Sequence, residues 1–477
     1  MRQPSPGPLI AALLGLALLR PPLLVEAEPP PAVRPAPLRW VAAGGGPTPE
    51  LNQVSIEADL ALAREVLGAG SGLLLFAGGS ETRAVQVRTS SRDDLLQRLG
   101  AIFSPRGGRD ATYRATTARP DGAATADGIL DAVESLVTGE PLLLLMGHGE
   151  RGNGPRDAAL LTWGDEAIGP ADLAQVLDLA PPDRRVRVIV TSCYSGGFAE
   201  LVFKGADPGA GPAEGDRCGL FASTWDAEAS GCDPDPDRRT HDGYALHLLN
   251  ALRGRDRAGE PLPIPTLDLD GDGRVSLLEA HTRARIAMRS LGVPTTTSER
   301  WLRAEAPAAG PEAPVALPEE DAVVRALGES LGLAGRSGEA RRRQRDLRAG
   351  VEAARRAVDE AEREEQAAFR RAAGRLLSRW PVLDDPWHPE FATTLARDGV
   401  AIASALDTWP ELRALSEAAA ALERAGASLD ALELRASPYE RLARAEENRV
   451  MARRLAAKGG PGWERYQRLL ACERSAP

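Results

Sequence analysis

The sequence predicts an α/β domain built on a mainly parallel sheet flanked by helices, followed by an all-α C-terminal region. Three apolar runs have the length and composition of buried strands, at 72–77, 141–146 and 186–191. Helix-like stretches lie between such runs, for example at 55–68 and 126–138. Apolar strands that alternate with helices indicate a parallel sheet covered on both faces. In such sheets, functional residues gather at the carboxyl ends of the strands.

Composition divides the chain into regions. At the N-terminus, Arg2 precedes an apolar run, and Ala27 follows small residues at the spacing of a signal-peptidase site. We assign a signal peptide to 1–27, a Pro/Gly-rich lead-in to 28–48, the α/β domain to 49–303, a linker to 304–318 and the helical region to 319–477. The α/β pattern itself begins near Trp40. We expect an exported protein, periplasmic or extracellular, with no membrane span after signal cleavage.

The charge balance limits the classes of partner. The formal net charge is -10, which leaves no basic surplus to neutralise phosphates, so nucleic acid is not an expected partner. The expected partners are therefore proteins or peptides.

A heptad pattern marks the C-terminal region. Its apolar positions step by four and three along the chain: Leu347, Val351, Ala354, Val358 and Ala361. This spacing predicts a coiled-coil seam in a hairpin or bundle that packs on itself. An arm that binds a protein partner is the alternative.

Two of the apolar runs end on reactive side chains. One leads into His148 and Gly149, and another leads into Cys193. The ends of neighbouring parallel strands face one crevice, so we expect His148 and Cys193 to form a catalytic dyad. A thiolate attacks a peptide carbonyl, an imidazole protonates the departing amine, and the backbone N–H groups of Gly149 and Cys193 would stabilise the oxyanion. Either residue alone would more often be a buried structural group.

The chain has four cysteines: Cys193, Cys218, Cys232 and Cys472. An oxidising compartment favours pairing, and a bond between Cys218 and Cys232 would close a short loop. A bond between Cys232 and Cys472 is the alternative. With either pairing, Cys193 is the thiol predicted to stay free.

The runs into His148 and Cys193 resemble those of clan CD cysteine peptidases, most closely the legumain family, over roughly 40–252. The segment 44–59 lies where legumains have a Gly-rich first loop and the following helix. The segment 221–228 lies where they form the wall of the specificity pocket. The resemblance implies a caspase-like α/β fold and a cysteine peptidase that uses a His–Cys dyad.

The resemblance also implies roles for residues near the first loop. In several relatives an asparagine orients the histidine, so by analogy Asn52 orients His148, although Gln53 aligns as well. Ser55 stands where legumains have an arginine that binds the side chain before the scissile bond. Thr191 stands where they have a glutamate. A legumain-like preference for asparagine is therefore not expected to carry over.

By the same analogy, Ser55, Ser223, Asp226 and Glu228 are candidate substrate-binding residues. Acidic side chains in the specificity segment would favour arginine or lysine before the scissile bond. The alternative is that both carboxylates are solvated loop residues.

The segment 268–279 matches a twelve-residue EF-hand calcium loop. The predicted ligands are the side chains of Asp268, Asp270, Asp272, Ser276 and Glu279 and the backbone carbonyl of Arg274. Gly273 permits the sharp turn of the loop. Three prolines before the loop weaken the expected entering helix. We expect a structural Ca²⁺ ion and no organic cofactor.

The dyad predicts a cysteine endopeptidase that forms an acyl-enzyme on Cys193. A transpeptidase, in which an amine replaces the hydrolytic water, would use the same residues. The alternative from another class is a catalytically silent caspase-like scaffold, or a calcium-binding interaction protein that uses its helical C-terminal region.

Overall fold

The computed structural model describes residues 38–477, except for 69, 71, 90–93, 105–110, 137–140 and 182–183. The predicted signal peptide and the first part of the predicted lead-in lie outside the described residues. Among the helices of the described part, none is long and apolar enough to cross a membrane.

The described elements alternate between strands and helices up to Glu305 and are helical afterwards. The strands are β1 (Trp40–Gly45), β2 (Gly72–Phe76), β3 (Val85–Arg88), β4 (Ala111–Arg114), β5 (Leu142–Gly147), β6 (Gly149–Glu150), β7 (Ala159–Thr162), β8 (Glu166–Ile168), β9 (Arg185–Val190), β10 (Asp216–Phe221) and β11 (Thr295–Thr296). The helices are α1 (Val54–Leu67), α2 (Leu95–Phe103), α3 (Ala126–Glu134), α4 (Pro170–Asp178), α5 (Tyr244–Leu252), α6 (Leu277–Ala287), α7 (Thr297–Glu305), α8 (Pro318–Ser330), α9 (Ser337–Arg379), α10 (Phe391–Thr408), α11 (Pro410–Lys458) and α12 (Gly460–Glu473).

The central sheet has six strands in the order β11-β10-β9-β5-β1-β2. Only β11 runs antiparallel to its neighbour. Alternate residues of β5 point to opposite faces, as the period of a strand requires. Leu144 packs with residues of α1, α5 and α6 on one face, and Leu143 packs with residues of α3 and α4 on the other. The predicted α/β class with a mainly parallel sheet is confirmed.

The predicted lead-in is wrong where it overlaps β1. Residues 40–45 form a fully buried strand between β5 and β2. The small residues of this strand, at 42–45, are also common in linkers, but here the close packing of the strand requires them. A Cβ added to Gly44 would lie 2.6 Å from the carbonyl oxygen of Met146. Composition alone therefore does not distinguish this tightly packed strand from a flexible linker.

The long helices α9 and α11 form an antiparallel hairpin. Gln344 near the start of α9 contacts Glu440, and Arg355 further along contacts Glu433, which lies earlier in α11. The five apolar heptad positions of α9 are half-buried, whereas most residues between them are exposed. The heptad pattern therefore marks the face of α9 that meets α11.

The last residues of the described chain pack on the α/β domain. Cys472 of α12 forms a disulfide with Cys218 of β10. The buried carboxylate of Glu473 accepts hydrogen bonds from the backbone N–H and the hydroxyl of Ser298 at the start of α7. The backbone N–H of Leu277 donates to the carbonyl of Ser475. The end of α12 and the residues just after it are thus joined to β10 and to the starts of α6 and α7.

Candidate active site at the ends of β5 and β9

His148 follows β5, which is hydrogen-bonded to β9 in the middle of the sheet. Its Nε2 lies 2.9 Å from the carbonyl oxygen of Leu51 and 2.8 Å from Oε1 of Gln53. A carbonyl oxygen can only accept, so Nε2 carries the proton and Nδ1 of the neutral ring is free to accept one. Burial lowers the pKa of His148 below its ordinary value, although the contact with Leu51 opposes the shift. The ring is therefore neutral at neutral pH.

Cys193 follows β9 by three residues. Its Sγ lies 3.3 Å from both the carbonyl oxygen and the backbone nitrogen of Ala229. Burial raises the pKa of the thiol, and the carboxylate of Glu228 adds to the shift. The next residue, Tyr194, adopts a left-handed conformation with φ of 57°. A strained residue directly after a candidate nucleophile is typical of functional sites.

Gly149 brings the two strand ends into contact. A Cβ added to this residue would lie 2.0 Å from the carbonyl oxygen of Cys193. Only glycine permits this approach. The peptide group that follows Cys193 consequently packs against Gly149, so the segments that follow β5 and β9 lie side by side.

The pKa shifts of the dyad predict the pH dependence of thiol modification. A neutral thiol is less nucleophilic than a thiolate. We expect the second-order rate of Cys193 alkylation by iodoacetamide to keep rising with pH beyond the ordinary thiol range, because raising the folded pKa delays ionisation. This rate is measured by quenching the alkylation at a series of times and determining the modified fraction of the Cys193 peptide by mass spectrometry. A plateau reached by neutral pH would contradict the prediction and indicate a thiolate–imidazolium pair.

The structure separates the two residues considered for orienting His148. Asn52 is fully buried, accepts a hydrogen bond from the N–H of Gly46 and donates one to the carbonyl of Ala84. Asn52 therefore stabilises the loop between β1 and α1. Gln53 contacts the imidazole instead. Which of the two side chains contacts His148 depends on where α1 begins, and α1 begins just after Gln53.

The hydroxyls of two candidate substrate-binding residues form hydrogen bonds with the backbone of loops. Ser55 is fully buried, and its hydroxyl accepts a hydrogen bond from the N–H of Asp233. Ser223 is also fully buried, and its hydroxyl donates to the carbonyl of Glu228. Both hydroxyls hold loops next to Cys193 in place.

Asp226 and Glu228 lie in the loop that precedes Ala229, whose backbone contacts the thiol. They line a cavity of about 470 Å³ that is shared with α9 and α11. The hydroxyl of Tyr194 donates to Glu228 over 3.0 Å. The larger cavity therefore starts next to the residue that follows the candidate nucleophile.

A second, smaller cavity of about 20 Å³ lies directly beside Cys193. It is lined by Ile56, Asp59, Met146, Gly147, Thr191, Cys193, Ala229, Ser230, Gly231, Cys232 and Ala245. Asp59 is its only charged side chain, and burial raises the pKa of this carboxyl although Arg238 pairs with it. Asp59 was missed from the sequence, although it follows Ser55 by one helical turn, a spacing that puts both residues on one side of α1.

The predicted pairing of Cys218 with Cys232 is wrong, and so is the alternative with Cys232 and Cys472. Cys218 instead pairs with Cys472, with 5.9 Å between their Cα atoms. The pairing follows from the packing of α12 along β10, which no local spacing reveals. Cys193 and Cys232 are free thiols, as predicted for Cys193.

Three of the six predicted calcium ligands lie together. One carboxylate oxygen from each of Asp268, Asp270 and Glu279 falls within 4.8 Å of the others, a group that can hold a metal ion. The hydroxyl and N–H of Ser276 both donate to Glu279, so they cap the start of α6. Asp272 accepts from the backbone N–H two residues further on. The oxygen-rich donor set suits a hard cation.

Comparison of the chain with models of protein families finds no match, and comparison with curated proteins finds none either. The arguments that follow depend on the arrangement of this chain's own residues.

Proposed function

We propose that the protein is a cysteine endopeptidase with a caspase-like fold, related to the legumains, that cleaves peptide bonds with Cys193 and His148. The observation that supports it most is the position of both residues just beyond adjacent parallel strands, where Gly149 touches the backbone of Cys193. The disulfide between Cys218 and Cys472 supports export to an oxidising compartment.

In the proposed mechanism, the neutral imidazole first acts as a base. Nδ1 of His148 accepts the thiol proton while Sγ of Cys193 bonds to the carbonyl carbon of the substrate. The backbone N–H groups of Gly149 and Cys193 stabilise the resulting oxyanion. Collapse of this intermediate breaks the C–N bond, and the imidazolium returns its proton to the departing amine.

Hydrolysis of the acyl-enzyme uses the same groups. His148 takes a proton from water, the hydroxide attacks the thioester, and Sγ leaves and is reprotonated by the imidazolium. The hydrogen bonds from Nε2 to Leu51 and Gln53 hold the ring in one tautomer throughout. The balanced products are a carboxylic acid, an amine and the free enzyme.

We further propose a preference for a basic residue before the scissile bond. Asp59 is the only charged side chain in the cavity beside Cys193. A buried carboxylate is best paired with a cation, which a substrate lysine or arginine can supply in place of Arg238. The cavity has about the volume of one water molecule, so the loop 229–232 must move outward to admit a side chain.

A panel of fluorogenic peptides that vary before the scissile bond tests both proposals. We expect turnover of arginine and lysine peptides to exceed that of asparagine and aspartate peptides by about tenfold or more, because only the basic side chains pair with Asp59. A peptidyl electrophile of the preferred sequence should modify Cys193 alone. Failure of every peptide and every electrophile with calcium present would refute the peptidase proposal.

For the acidic loop we propose Ca²⁺ as the ligand of Asp268, Asp270 and Glu279. The ion would neutralise three converging carboxylates and join the loop to the start of α6. Thermal unfolding tests this: saturating calcium should stabilise the protein by about 2–3 kcal/mol relative to a chelator. Asp270→Asn should abolish the difference and leave the melting temperature in chelator unchanged. Equal melting temperatures of the native protein in both conditions would contradict calcium binding.

A further inference from the structure

The cavity of about 470 Å³ lies between the candidate active site and the C-terminal hairpin. One wall is the loop that precedes Ala229, whose backbone contacts Sγ of Cys193, together with Leu291 to Val293. The opposite wall is formed by α9 and α11. The residues that these two helices contribute are Arg348, Val351, Glu352, Arg355, Arg356, Glu433, Ala436, Ser437, Glu440 and Arg444. The helices are thus part of the surroundings of the reactive thiol.

Each of the two walls contains its own polar contact. Tyr194 donates to Glu228, and Arg355 across the cavity pairs with Glu433 at 2.6 Å. Burial opposes the charge of Arg355, but the carboxylates of Glu433 and Glu228 hold its pKa above the ordinary value. The opposite charges of Arg355 and Glu228 therefore attract each other across the cavity.

The hairpin leaves the dyad accessible. His148 and Cys193 both remain partly exposed, so α9 and α11 do not cover either side chain. A helical segment that blocks the site would bury both groups. The position of the hairpin suits a wall of an open cleft.

The charges of the cavity indicate the class of its occupant. Five arginines and five carboxylates line it, so it has no net charge that would select a polyanion or a polycation. Within the described residues, no ion pair engages Asp226, Glu352 or Arg356, which leaves charges of both signs available. Mixed, unpaired charges in a neutral cleft suit a polypeptide segment, whose backbone and side chains offer both donors and acceptors.

We infer that this cavity is an extended subsite, in which a polypeptide segment adjoining the scissile bond lies between the loop 224–228 and the helices α9 and α11. The inference depends on the proposed peptidase function and deepens it, since it makes long polypeptides the preferred substrates. Glu352 and Arg356 of α9 contact the substrate segment and do not take part in the chemistry.

A charge exchange on α9 tests the inference. The double variant Glu352→Arg/Arg356→Glu keeps the net charge and the i,i+4 spacing of opposite charges, and both side chains are exposed. The matched control is Asp359→Arg/Arg363→Glu, two turns further along the same helix and outside the cavity. The substrates are a dye-labelled denatured casein and a fluorogenic tripeptide.

We expect the Glu352/Arg356 exchange to raise KM for casein about tenfold with kcat unchanged. Turnover of the tripeptide and the rate of Cys193 alkylation should stay at the native level, because neither needs the distant wall. The control exchange should change none of these quantities.

An unchanged KM for casein, or an equal loss with both substrates, would overturn the inference while leaving the peptidase proposal intact. Native protein that cleaves neither substrate refutes the proposed function, and the extended subsite falls with it.

Discussion

Replacement of Cys193 by alanine should reduce kcat/KM for the preferred peptide by roughly a thousandfold or more, because Cys193 forms the acyl-enzyme in the proposed mechanism. The expectation depends on the position of the thiol beyond β9, next to the strand end that carries His148. Initial rates with the fluorogenic panel measure it. The melting temperature of the variant should stay close to that of the native protein, since the substitution removes a half-buried sulfur and no ion pair.

The second free thiol provides the matched comparison. Cys232 lines the same small cavity as Cys193 but contacts the carbonyl of Gly147, and burial raises its pKa. In the Cys232→Ala variant a peptidyl electrophile should still modify Cys193. If turnover survives in Cys193→Ala and is lost in Cys232→Ala, the nucleophile has been assigned to the wrong residue.

Loss of the disulfide should cause the largest change in stability. Cys218 and Cys472 are separated by 254 residues, and closing so long a loop removes much entropy from the unfolded chain. The double variant Cys218→Ala/Cys472→Ala should lose about 3–5 kcal/mol of unfolding free energy. The bond lies among the apolar residues of α7, α12 and β10, including Trp301 and Tyr466, so packing retains part of the docking of α12. Denaturant unfolding followed by far-UV circular dichroism measures the loss.

Reductant supplies the control for the disulfide. Native protein in dithiothreitol should unfold at the same denaturant concentration as the double alanine variant, and the variant itself should not respond to dithiothreitol. If the native midpoint is the same with and without reductant, Cys218 and Cys472 are not bonded or their bond contributes nothing to stability.

Hydrophobic patterning was enough to predict the sheet, because buried parallel strands such as β5 and β9 are continuous apolar runs. It was not enough for β1, where Ala42, Ala43 and Gly44 are selected for close packing and have a linker-like composition. The heptad in α9 was visible for the opposite reason. Its seam recurs over several turns, and repetition is what distinguishes a pattern from chance.

In the candidate site, too, local sequence features could be predicted, whereas contacts between distant segments could not. The positions of His148 and Cys193 shortly after β5 and β9 could be predicted because both strands are apolar runs. The contact of Gln53 with His148 depends on where α1 begins, and Asp59 reaches the cavity only through the packing of α1 on the sheet. The pair Cys218 and Cys472 depends on how α12 docks. Such contacts join distant segments, and a single sequence carries no local signal for them.

The attachment of Cys472, Glu473 and Ser475 to β10, α7 and α6 has a consequence for how the chain acquires its structure. The hydrogen bonds to Ser298 and Leu277 form only after residues 473–475 have been synthesised. Contacts of such long sequence separation are also slow to form. We therefore expect the α/β domain of a growing chain to stay incompletely folded until α12 has been synthesised. The packing around the starts of α6 and α7 would thus be completed only once residues 473–475 are present.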